Sequence, residues 1–113
     1  MKNIMKKTIT VLTLLLNTVV NYAQDPNILW QRTIGGSGDE ELRVSISTFD
    51  GGFLIAGPSK SNISGDKSEN NIGEDDYWIV KLSSTGNVEW DNTIGGDDLD
   101  RVESIIQDVD GGY

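Results

Sequence analysis

Asn27-Ile28-Leu29-Trp30-Gln31-Arg32-Thr33-Ile34-Gly35-Gly36 returns sixty residues later as Asn87-Val88-Glu89-Trp90-Asp91-Asn92-Thr93-Ile94-Gly95-Gly96. The same offset lays Asp50-Gly51-Gly52-Phe53 on Asp110-Gly111-Gly112-Tyr113, and no gap is needed. Between 27–53 and 87–113, ten of twenty-seven positions are identical, which is too many for unrelated segments. Several of the others keep their apolar character, among them Ile28 and Val88, Leu42 and Val102, and Phe53 and Tyr113. Self-similarity at one fixed period is the sequence mark of a repeat architecture.

One period reads as four strands. Leu42 to Phe49 is the first, rich in Val, Ile, Ser and Thr, and it runs into a turn at Asp50-Gly51-Gly52. The return strand covers Phe53 to Gly57, with Pro58 expected to end it. A polar connection from Ser59 to Asp75 leads to a third strand, Tyr77 to Leu82, around Trp78. The turn Ser83 to Asn87, with Gly86 in it, delivers the fourth strand, Val88 to Ile94, around Trp90. Leu99, Val102, Ile106 and Val109 are spaced three to four apart, as on a helix face. Their counterpart at 42–49 and the hairpin turn that follows both favour a strand.

Four short antiparallel strands in sixty residues predict an all-β fold of β-propeller-like repeats, present as an incomplete fragment. The expected organisation is a partial propeller region over 25–113: a strand 28–34 belonging to a preceding unit, a complete repeat over about 37–96, and the start of the next over 97–113. Trp30, Trp78 and Trp90, the pairs Gly35-Gly36 and Gly95-Gly96, Gly86, and the turns Asp50-Gly51-Gly52 and Asp110-Gly111-Gly112 are the expected structural signature. A break at Tyr113, just past the second copy's turn, reads as a truncated frame. Open sheet faces and strand edges should then make the isolated chain prone to aggregate.

Residues 1–24 carry a different signal. Lys2, Lys6 and Lys7 precede Thr8 to Val20, a run without ionisable groups, and Ala23 offers a small residue for cleavage. This is the pattern of a secretory signal peptide, too short for the roughly 20 apolar residues of a membrane anchor. Its removal leaves six basic against eighteen acidic side chains, a net charge of −12. Such a surface repels nucleic acid and anionic membranes. The sequence holds no Cys and no His, which excludes disulfides, the usual zinc sites and Ser-His-Asp catalysis.

Gly73-Glu74-Asp75-Asp76-Tyr77-Trp78-Ile79-Val80-Lys81-Leu82, then Thr85-Gly86-Asn87-Val88-Glu89-Trp90 and Thr93-Ile94-Gly95-Gly96, with Asp50-Gly51-Gly52-Phe53-Leu54-Ile55-Ala56-Gly57, resembles the repeats of large secreted Bacteroidetes β-propeller proteins. Many of those carry a carboxy-terminal type IX secretion sorting domain. The resemblance covers nearly all of 27–113 and implies an extracellular or cell-surface location and a non-catalytic propeller. The Gly86 to Trp90 stretch, with Gly95 beyond, is also similar to the blade-docking pattern of quinoprotein dehydrogenases, where the indole wedges against the next blade. That likeness concerns docking and brings no quinone site.

Oxygen ligands concentrate between Ser64 and Asp76, so Asp66, Asp75 and Asp76 are candidate calcium ligands. The EF-hand pattern itself fails, because Asn71 stands where Gly is required and Tyr77 where the bidentate Glu belongs. A solvated loop is the competing reading, and no other cofactor is implied. The acidic runs Asp39-Glu40-Glu41 and Asp97-Asp98-Leu99-Asp100 read as solubilising faces. The function expected is a non-catalytic secreted or surface scaffold that binds an extracellular protein or glycan. The alternative is the propeller part of a polysaccharide-acting enzyme whose catalytic residues lie outside these 113 residues.

Overall fold

The computed structural model describes residues 26–113; the signal-peptide reading of 1–24 lies outside them. The described residues are all-β: four antiparallel strands form one open sheet in the order β1 (Val44–Ser47), β2 (Phe53–Ser59), β3 (Asp76–Leu82), β4 (Val88–Ile94). Among them no helix is long and apolar enough to cross a membrane.

Each of the two hairpins turns on a glycine. In the first, Gly51 N–H donates to Thr48 O and Thr48 N–H to Gly52 O, both at 2.9 Å; in the second, Gly86 N–H donates to Ser83 O at 3.0 Å and Ser83 N–H to Asn87 O at 2.8 Å. Gly51 and Gly86 both sit at φ +81, a region where a side chain is strained. This is a three-residue loop, a type I turn closed by a left-handed residue. Across the second hairpin Leu82 pairs with Val88 but Lys81 with Trp90, so Glu89 is an extra, bulged residue. The bulge sends Val88 and Trp90 to opposite faces of the sheet.

Residues directly opposed across a ladder share a face. Phe53, Ile55, Trp78, Val80, Leu82 and Val88 therefore share one face, and the cluster of Trp78, Val80 and Leu82 with these neighbours and Ile34 is the core. The opposite face carries Val44, Ile46, Leu54, Ala56, Ile79, Trp90 and Ile94.

Four differences from the sequence reading have physical causes. Pro58 lies inside β2 instead of ending it. Its carbonyl accepts from Glu41 N–H at 3.1 Å, and its missing donor faces the irregular 41–43 side, where no strand needs it. β1 is four residues long, shorter than the eight expected. Segment 28–34 joins no sheet. By the sixty-residue offset its ladder partner would fall at 16–22, outside the described residues. Segment 97–109 also forms no strand, and none of the described residues pairs with it.

Candidate functional site

The repeat is legible in bonds as well as letters. Asp108 N–H donates to Gly112 O at 2.8 Å and Gly111 N–H to Asp108 O at 2.9 Å, the Thr48–Gly52 turn displaced by sixty residues, with Gly111 at φ +90. Asp50 and Asp110 each accept from the N–H two residues on, Gly52 and Gly112, at 3.0 Å. Glu40 accepts from Gly36 N–H at 3.1 Å, and Asp100 accepts from Gly96 N–H at 2.6 Å. Acids in the runs after Gly35-Gly36 and Gly95-Gly96 thus cap the glycine turns, which is more than solubilising.

Trp30 meets Phe53 edge-on, with ring centroids 5.8 Å apart and planes at 62°. Trp90 meets Tyr113 at 6.0 Å and 58°. Trp30 also lies in a notch at the second hairpin, where a Cβ on Gly86 would come 2.6 Å from Trp30 Cε3. Arg32 fastens the same segment through Asp66 at 2.7 Å.

The connection 60–75 closes over the end of the core face through side-chain bonds. Lys67, 2% exposed, donates to Thr93 Oγ1 at 2.6 Å and Asn71 Oδ1 at 2.9 Å. Burial pushes its ammonium down, against the opposing pull of Asp76, Asp91, Glu69 and Glu40. Burial alone would raise Glu40, but bonds from Ser61, Gly36 N–H and Ser59, with the charge of Lys67, outweigh it and hold the carboxyl down. Asp91 shows the same balance: burial raises it, while Ser68, Trp78 Nε1–H and Lys67 take it lower. Lys81, 3% exposed, donates to Asp50 and Glu89 at 2.9 Å and to Leu82 O at 3.0 Å. Burial opposes its charge, but those two carboxylates prevail and raise it. Thr48, Lys81 and Gly52 N–H hold Asp50 well below the usual carboxylate range.

The three calcium candidates separate into different roles. Asp66 serves Arg32 and, through its other oxygen, Gly35 N–H at 3.2 Å. Asp76 accepts from Ile72 and Gly73 N–H on the core side, with its Oδ1 buried and unpartnered. Asp75 lines a cleft near Tyr77 on the other side. Among the described residues no group of three or more acidic side chains is placed to hold a metal ion.

That cleft, about 440 Å³, opens at the sheet end between β2, β3 and the 99–103 segment, with Glu41, Arg43, Pro58, Tyr77, Arg101 and Glu103 in its walls. Asp75 Oδ1 and the Tyr77 hydroxyl are buried there without partners. Burial raises the Tyr77 phenol, and the charges of Asp100 and Glu103 raise it further. The arrangement offers acceptors, one phenol and two guanidinium groups beside Pro58, Leu99 and Val102, suited to a polar ligand. The sequence reading missed the cleft and the roles of Arg32, Glu40, Lys67, Lys81 and Asp91. Of these, only Glu40 left a repeat signal, its match with Asp100. No family profile, curated protein or solved structure matches this chain.

Proposed function

We propose that the chain is part of a secreted or cell-surface repeat scaffold, propeller-like in its stacking of four-stranded units, that binds an extracellular protein or glycan and performs no catalysis itself. The observation that carries this reading is the recurrence, at an offset of sixty residues, of the same hairpin bonds, the same glycine caps and the same tryptophan contact. Units built that way spend their apolar faces on each other, which leaves the sheet ends for ligands. The cleft around Tyr77 is such an end, and its size falls within the range of small-ligand sites. The resemblance to secreted Bacteroidetes repeats and the leader-like residues 1–24 support the location.

The reading requires no metal. Its test is a panel of soluble polysaccharides and surface proteins, with binding by the leader-free chain and release of reducing ends both measured. Binding without turnover, lost on Tyr77→Ala, is the expected result. Turnover by the chain itself would overturn it.

A further inference from the structure

Lys67 is a buried cation that the fold leaves without a carboxylate in contact. The ion pairs of the described residues belong to Arg32, Arg43 and Lys81. The Lys67 amine instead meets neutral oxygens, Thr93 Oγ1 at 2.6 Å and Asn71 Oδ1 at 2.9 Å. Burial works against its charge by more than the surrounding carboxylates restore, which favours the neutral, nucleophilic amine. Its neighbour Asn71 is held as firmly. Asn71 Nδ2 donates to Ser59 O at 2.7 Å and Glu74 O at 3.2 Å, which turns Oδ1 toward Lys67, and Asn71 N–H donates to Asn62 Oδ1 at 3.2 Å. The Lys67 backbone is pinned in turn by the two bonds it exchanges with Ser64. With Oδ1 at 2.9 Å and a carbonyl bond of about 1.2 Å, Asn71 Cγ lies within about 4 Å of the amine, near the separation from which a bond can form.

Asp76 completes the group. It is fully buried and spends Oδ2 on the N–H groups of Ile72 and Gly73, just past Asn71, but its Oδ1 is buried with no partner. Of the charges acting on Lys67, that of Asp76 is the largest. An open acceptor in such a place can carry a proton.

We propose that Lys67 and Asn71 react with each other to form an intramolecular isopeptide bond. The neutral Nζ attacks Asn71 Cγ; the Cγ–Nζ bond forms and the Cγ–Nδ2 bond breaks. One proton from Nζ passes by way of Asp76 Oδ1 to Nδ2, which leaves as ammonia, and Asp76 ends as it began. Nothing is oxidised or reduced, and no second substrate enters. The product closes the connection 60–75 covalently beside β4, in a chain that has no cysteine for the purpose. This inference goes beyond the binding reading above and depends on neither its ligand nor its location.

The test is mass spectrometry of the full chain, unfolded in urea and then refolded, with circular dichroism as the check on folding. The refolded chain should become one ammonia lighter, tandem spectra should place the loss in a fragment joining Lys67 to Asn71, and trypsin should no longer cut after Lys67. Lys67→Arg and Asn71→Ala should each keep the full mass. Asp76→Asn, where folded, should slow the loss by about a hundredfold or more. A folded parent chain of full mass that trypsin cuts after Lys67 would overturn the proposal. So would a loss that maps to Asn71 alone or persists in Lys67→Arg, since that is succinimide formation. An unchanged rate in folded Asp76→Asn would overturn the part given to Asp76.

Discussion

Replacing Gly86 with Ala isolates the energy of tryptophan docking, because the chain supplies its own controls. Gly51, Gly86 and Gly111 sit at φ +81, +81 and +90, so an Ala at any of them meets the same backbone strain. That strain is about 1–2 kcal/mol. Their surroundings differ. A Cβ at Gly51 would lie 3.9 Å from Ser84 Cβ, an ordinary contact, and one at Gly111 would meet nothing within 4 Å. At Gly86 it would lie 2.6 and 2.7 Å from two carbons of the Trp30 ring, which must move. Overpacking of this kind adds about 1–3 kcal/mol. Gly51→Ala and Gly111→Ala should therefore each cost about 1–2 kcal/mol, and Gly86→Ala about 2–5 kcal/mol. In a Trp30→Ala background the excess at Gly86 should vanish, a coupling of about 1–3 kcal/mol in a double-mutant cycle. Urea unfolding followed by far-ultraviolet circular dichroism, at concentrations low enough to keep the chain monomeric, measures all of these. Equal costs at Gly51 and Gly86, or additivity of Gly86→Ala with Trp30→Ala, would refute the docking of Trp30 at the second hairpin.

Acid should unfold the protein through its capping carboxylates. Glu40, Asp50 and Asp91 are held below ordinary values of 4.5, 3.8 and 3.8. A depressed carboxyl contributes fully above its unfolded value and less as pH falls toward its folded one, so the urea midpoint should start to drop near pH 4.5 and keep falling. A midpoint unchanged from pH 6 to about pH 3 would contradict those assignments. Lys81→Met should cost about 1–2 kcal/mol in the same assay: it strips Leu82 O of a donor, but Asp50 and Glu89 are exposed enough for water to replace the ammonium. Gly57→Ala should be far worse, since its Cβ would fall 1.6 Å from Glu41 O, a backbone atom; a variant as soluble and cooperative as the parent would show that the 41–43 segment does not lie against β2. Millimolar calcium should leave the melting temperature where it is, and a rise of several degrees would put an ion back among Asp66, Asp75 and Asp76.

The strand pattern was readable because alternation and turn chemistry are local. Val88–Ile94 was read to the residue, and β3 to within one. What the sequence concealed depends on partners. Leu99 to Val109 has a counterpart at 42–49 rich in Val, Ile, Ser and Thr, yet a strand exists only where another pairs with it. Pro58 signals a strand end by itself, and the structure admits it because its nitrogen faces an irregular neighbour. Lys67 and Lys81 read as solvated charges in any one-dimensional view, since burial of a lysine depends on acceptors gathered from distant positions. Asp66, Asp75 and Asp76 look like a ligand set in the sequence because they are close along the chain, but Asp66 pairs with Arg32, Asp76 accepts from Ile72 and Gly73 N–H, and Asp75, just before β3, lines the cleft.

β4 is an edge strand, and the 60–75 connection reaches its rim at Thr93 and Asp91. Glu69 accepts the Thr93 N–H, and Ser68 holds Asp91 through both its N–H, at 2.9 Å, and its hydroxyl, at 2.6 Å. At the other rim β1 offers only four residues. A foreign strand pairing along β4 would have to displace Glu69 from the Thr93 amide, and one along β1 would find four residues to pair with. Growth along the hydrogen-bonding direction, the axis of a cross-β fibre, therefore meets an obstacle at each border. A sheet bordered in this way is harder to knit into a fibril than one with bare rims.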